Sequence, residues 1–330
     1  MQSFWPRASR ILGPLVALLM VLTSATLVQA DTGWHNKTIL AAPDNDLLSV
    51  AYGAGKLVAI GRVGRIVVST DGQRWTPAAS GVRESFYHVR YLNGLFVAAG
   101  ENGKLLTSPD GTTWTQRSAG TTDRLYDVAY GAGRFVAVGL SGVTVTSKDG
   151  LVWEAKKPFV RGFVTITYGN GRFVAWGQNG SWAASADGES WQTSVNTSVV
   201  GFVESITHDG KQFVAVGDSG LVLTSPDGWT WTKGSAGIVA SLYDVAASNG
   251  LLVAVGNNGA LVTSRNGTDW TAATSGTNNN LRGVVAAMGR FWAVGNGGAL
   301  VVSQRYQPPG GLRWSSFARS QTEEMRGVAR

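Results

Sequence analysis

Residues 125–153 read LYDVAYGAGRFVAVGLSGVTVTSKDGLVW. Two apolar runs are joined by Gly131-Ala132-Gly133, and a Gly139-Leu140-Ser141-Gly142 turn leads into a third run. The stretch closes on Ser147-Lys148-Asp149-Gly150-Leu151-Val152-Trp153. Val128 and the runs 135–138 and 143–146 are β-branched or aromatic, of strand length, and bounded by turn residues. None has helical spacing. The pattern recurs six more times at intervals of about 40 residues, and a fixed period in this range marks a repeat architecture. The second strand anchors the copies: KLVAIG from Lys56, LFVAAG from Leu95, RFVAVG from Arg134, RFVAWG from Arg172, QFVAVG from Gln212, LLVAVG from Leu251 and RFWAVG from Arg290. The closing tryptophans anchor them again, at Trp75, Trp114, Trp153, Trp191, Trp231, Trp270 and, after an insertion, Trp314. Four short strands per period make the blade of a propeller. The sequence therefore predicts an all-β fold, a seven-bladed β-propeller of four-stranded antiparallel blades over residues 47–303.

Seven such blades use nearly all of the 330 residues as one closed domain. The 44 glycines fall in turns and the 13 tryptophans in the repeat, so neither signals disorder or a collagen-like chain. The formal net charge of +7 includes Arg7 and Arg10, which precede an apolar run at 11–28 and the small-residue site Val28-Gln29-Ala30. Residues 1–30 read as a secretory leader, the alternative being an uncleaved anchor. The expectation is an exported chain, periplasmic or extracellular, with no membrane span after cleavage. No run of Lys or Arg suggests nucleic acid. There are no cysteines, and a propeller of this size needs no disulfides.

Residues 31–46 contain Gly33-Trp34-His35-Asn36-Lys37-Thr38, which reads as a fourth strand without its first three. Such a strand would complete the last blade and tie the chain ends together. Trp314 competes for that role from within 304–330, a segment that holds Pro308-Pro309-Gly310-Gly311 and a tail resembling the start of another copy.

Six Ser-x-Asp-Gly-x-x-Trp turns begin at Ser69, Ser108, Ser147, Ser185, Ser225 and Ser264. They carry Asp71, Asp110, Asp149, Asp187, Asp227 and Asn266. The side-chain oxygen can accept backbone N–H groups across the turn, the glycine takes a conformation other residues resist, and the Trp packs between blades. The motif resembles the Asp-box of BNR-repeat, sialidase-type propellers, with one residue fewer between Asp and Gly than the usual S-x-D-x-G-x-T-W. The resemblance implies a structural turn away from the catalytic face. The repeat is also similar to the propellers of photosystem II assembly and stability factors, which implies a non-catalytic scaffold holding a partner protein.

Gly217-Asp218-Ser219-Gly220 looks like a protease nucleophile segment but occupies the same turn as Gly256-Asn257-Asn258-Gly259 in the next copy. His35, His88 and His208 fall in separate repeats, so no metal site and no cofactor is expected. The copies disagree where a first strand leaves the variable face, with Leu48-Ser49, Tyr87-His88, Tyr126-Asp127, Val164-Thr165, Glu204-Ser205, Tyr243-Asp244 and Arg282-Gly283. Just before them stand Arg83-Glu84, Asp123-Arg124 and Arg161. Tyrosines with arginines are typical of binding surfaces. The expectation is a mouth that binds a protein, or a glycan, without catalysis. The alternative is a carbohydrate-active enzyme using the same Arg, Tyr and carboxylate set. Against a sialidase, the early Arg-Ile-Pro segment of that family is absent, its enzymes have six blades, and the connections here are short.

Overall fold

Each repeat folds into a four-stranded antiparallel meander, and seven such sheets form the propeller. The computed structural model describes residues 33–39 and 46–306. Blades 1 to 6 span 47–78, 86–117, 125–156, 163–195, 203–235 and 242–272, each with its strands in sequence order. Blade 7 takes three strands from 281–303 and its outermost strand from Trp34–Thr38. That strand runs antiparallel to Ala299–Ser303, with Trp34 opposite Ser303 and Thr38 opposite Ala299. The leader, Trp314 and the Pro308-Pro309 turn lie outside the described residues.

The innermost strands pack on one another around the ring, and Leu281–Ala287 of blade 7 returns to Leu47–Gly53 of blade 1. The core is a set of layers between blades rather than a single centre. One layer joins Val97 and Leu105 of blade 2 to Leu125, Phe135 and Trp153 of blade 3. Second strands have both faces covered, which is why they read as unbroken apolar runs; the last five residues of Leu95–Gly100 are all buried. Each fully buried Phe or Leu contributes about 1.5–3 kcal/mol of transfer free energy. Outer strands such as Gln192–Val195 are exposed and polar.

Turn chemistry fixes the blade geometry. The first hairpins of blades 1 to 4 are two-residue loops with both residues at positive φ, for example Asn93 at 46° and Gly94 at 83°, or Ala132 at 46° and Gly133 at 74°. This is the pairing that matches strand twist. In the Ser-x-Asp-Gly-x-x-Trp turn of blade 1, Ser69 Oγ accepts the Gly72 N–H at 2.8 Å, and Asp71 Oδ1 accepts those of Gln73 and Arg74 at 2.7 and 2.9 Å. Asn266 does the same in blade 6, accepting from Thr268 and Asp269 at 3.0 and 2.9 Å. Gly72 sits at φ +69°, and a Cβ there would lie 2.0 Å from the Trp292 ring of blade 7. The turn therefore also sets how closely neighbouring blades approach.

Candidate functional site at the channel mouth

Every innermost strand departs from regular register at its second residue: the partner of residue one and the partner of residue three are consecutive. Such a bulge re-aims a side chain. Here it sends the second residue of all seven strands, Leu48, Tyr87, Tyr126, Val164, Glu204, Tyr243 and Arg282, into one cavity of about 290 Å³. His88 and Phe202 complete the lining.

The third residue of each strand faces a neighbouring blade, His88 alone also bordering the cavity, which corrects the sequence reading for two candidates. Asp127 and Asp244, expected at the mouth, are 0% and 4% exposed. They belong to a polar seam that runs around the ring. Ser49 Oγ accepts the Val89 N–H at 3.2 Å, and Asp127 receives a bidentate pair from Arg90 at 3.0 and 2.9 Å. Asp127 also accepts from Thr165 Oγ1 and the Ile166 N–H, both at 3.2 Å. Thr165 Oγ1 in turn accepts the Ile206 N–H at 3.2 Å. Ser205 donates to Asp244 at 2.7 Å, and Asp244 accepts the Val284 N–H at 2.8 Å. Gly283 closes the seam by backbone approach, since a Cβ there would lie 2.7 Å from Ser49 Cα. Burial opposes ionisation of Asp127, but the Arg90 guanidinium and His88, whose Nδ1 lies 3.1 Å away, hold its carboxyl well below the usual range.

The cavity itself is aromatic and charged. The rings of Tyr87 and Tyr126 are 5.0 Å apart, and the Arg282 guanidinium lies 4.1 Å from the Tyr243 ring centre, a cation–π geometry. Arg282 Nε donates to Asn296 at 3.1 Å. Tyr87 donates to Glu101 Oε1 at 3.1 Å; burial, then the Glu101 charge, pushes its hydroxyl up to about 12. Burial, then Asp218, raises Glu204 to about 7 against the opposing pull of Arg282 and His88.

The remaining candidates stand outside the lining. Arg83, Arg124 and Arg161 are exposed on the connections. Arg124 is coupled to Tyr126 and Tyr87, and hydrogen bonding to Tyr126 raises its pKa. Glu84 pairs with Lys104 at 3.4 Å and Asp123 with Lys157 at 3.6 Å. Arg161 reaches Ser181 at 3.4 Å. Arg90, Glu101 and Phe202 were not among the sequence candidates. Arg90 carried a signal: it is the charged residue at a position where the other inner strands have Ala51, Ala129, Thr167, Thr207, Ala246 and Val285.

The geometry assembles an aromatic, arginine-bearing pocket with one mouth carboxylate, on a fold known from many proteins. No protein-family model and no curated protein sequence matches the chain. Solved structures do match in shape. YCF48 bound to D1 peptide is 17% identical at TM-score 0.65, covering 82% of this chain and 94% of that one. YCF48 from Cyanidioschyzon merolae is 16% identical at TM-score 0.63, covering 82% and 98%. Virginiamycin B lyase from Staphylococcus aureus is 10% identical at TM-score 0.72, covering 82% and 99%. The chain is a seven-bladed β-propeller. At these identities the likeness is one of fold, shared by a peptide-bound protein and a lyase.

Proposed function

We propose that this chain is an exported, non-catalytic propeller that holds a protein partner at its channel mouth, in the manner of a scaffold or assembly factor. The observation that carries this reading is the bulge-built pocket in which Tyr87, Tyr126 and Tyr243 converge with Arg282. Aromatics and arginine are the residue types that dominate interface energies. A bound peptide in the similar propeller YCF48 is the precedent for such a partner. The six Ser-x-Asp-Gly-x-x-Trp turns fit the same reading as Asp-boxes of BNR type. Their Ser oxygens and their Asp or Asn oxygens are occupied by their own turns, as with Asp187 accepting from Glu189 and Ser190 at 2.8 Å. Among the described residues no helix is long and apolar enough to cross a membrane. Placement in the periplasm or outside the cell rests on residues 1–30.

Affinity capture from the host envelope, with the chain from Asp31 as bait, tests this. A protein recovered in stoichiometric amount, and lost with Tyr126→Ala/Tyr243→Ala/Arg282→Ala, supports the reading. Capture unchanged by those substitutions moves the site off the mouth. A native protein still carrying residues 1–30 and recovered from the cytosol would remove export.

Glu204 supports the second reading, a carbohydrate-active enzyme, because a carboxyl ionising near neutrality suits a general acid. With Asp127 and Asp244 buried, no second carboxylate among the described residues lines the cavity, which glycoside hydrolysis ordinarily requires. Absence of turnover across a glycan panel at high protein concentration would discard this alternative.

A further inference from the structure

We propose that the mouth cavity is a site for a small zwitterion of α-amino-acid size, with Glu204 receiving the ammonium, Arg282 the carboxylate, and the tyrosine rings the body between them. The site lies within the mouth assigned above to a protein partner, but it stands on the cavity lining and not on that assignment.

Most of the acids around the cavity are already engaged. Asp127 is taken by Arg90 and His88. Asp218 accepts from the Phe202 N–H at 2.8 Å and from Ser241 at 3.1 Å. Glu101 accepts from Tyr87 and the Ser85 N–H. Among the described residues that line the cavity, this leaves one acid and one base without an ion-pair partner, Glu204 and Arg282.

They do not satisfy each other because Arg282 is held elsewhere. Its guanidinium lies over Tyr243 and its Nε donates to Asn296. Asn296 is itself fixed by donating to Asp46 at 2.9 Å. Among the described residues, the terminal nitrogens of Arg282 make no hydrogen bond and Glu204 makes neither a hydrogen bond nor an ion pair. A carboxylate among aromatic and aliphatic walls is costly unless an opposite charge is brought to it. A ligand with both charges meets both needs without a net charge to desolvate. The cavity volume of about 290 Å³ is at the small end of ligand pockets, suited to one amino acid. The elevated proton affinity of Glu204 agrees with an acid whose counter-charge arrives with a ligand.

Calorimetry on the chain from Asp31 would compare L-phenylalanine with phenethylamine, which lacks the carboxylate, and 3-phenylpropanoate, which lacks the ammonium. L-Phenylalanine should bind at least tenfold more tightly than either. Glu204→Gln and Arg282→Gln, each first shown to be folded by a cooperative thermal transition, should reduce it to the level of the single-charge analogues. Three titratable or charged groups face Glu204: Asp218 on its own blade, His88 of blade 2 and Arg282 of blade 7. Wild-type affinity should rise as pH is raised through about 7, and the Glu204→Gln profile should be flat there. Equal binding of all three probes, no binding of L-phenylalanine at millimolar concentration, or binding indifferent to both substitutions would overturn the proposal. Partner capture that persists in any of these cases would leave the protein-binding reading standing.

Discussion

Glu204 shows what a single misfitted charge does to a fold. Its proton is held to about pH 7 in the native state, whereas an unfolded-chain glutamate releases it near 4.3. Between those values the unfolded chain binds fewer protons, so stability falls as pH rises. The contribution is on the order of 3–4 kcal/mol. Glu204→Gln should flatten this decline, leaving the variant more stable than wild type at pH 8, as read by urea denaturation at several pH values. At Ala132 the strain is in the backbone. Its φ of 46° is a region that asparagine occupies several-fold more readily, so Ala132→Asn should stabilise by a few tenths to ~1 kcal/mol. Residue identities were legible in the sequence, but their directions were not. Tyr126 and Asp127 look equivalent at a strand end; a bulge sends one into the cavity and the other between blades, and no residue type announces that bulge.

At the scale of the element, the sequence is most transparent where one side chain satisfies its own turn. The Ser-x-Asp-Gly-x-x-Trp motif makes its hydrogen bonds within seven residues, as Ser69 and Asp71 do in blade 1. What spacing could not show is that Gly72 also presses on Trp292 of another blade. Gly72→Ala should therefore cost more than the left-handed penalty of ~1–2 kcal/mol for one residue. Ser69→Ala, which removes an acceptor from the buried Gly72 N–H, should cost ~1–2 kcal/mol. Thermal denaturation that ranks the two the other way round would show that the turn does not set blade spacing.

Across the whole molecule, the polar seam ties blades to one another where apolar contacts alone would allow sliding. Its busiest member is Asp127, which gathers Arg90 of blade 2 and Thr165 and Ile166 of blade 4. Asp127→Ala strands a guanidinium, the Thr165 hydroxyl and the buried N–H groups of Ile166 and Val128, and should destabilise by about 3–5 kcal/mol, measured by denaturant melts at neutral pH. Because the folded carboxyl is held low, its stabilisation is full above the ordinary aspartate range near 3.9 and lost only as pH falls below it. The period of the repeat made the seven blades readable. The seam was hidden because each of its bonds joins residues some 40 positions apart, with no motif local to either.

The strand Trp34–Thr38 lies antiparallel to Ala299–Ser303 with Trp34 opposite Ser303. Tension applied through those two residues would pull both strands from the same end. The hydrogen bonds of blade 7 would then be taken one after another, as a zip opens, rather than sheared together. The ring is thus easiest to open mechanically at blade 7, where a modest pull would free the outer strand while the other six blades stayed folded.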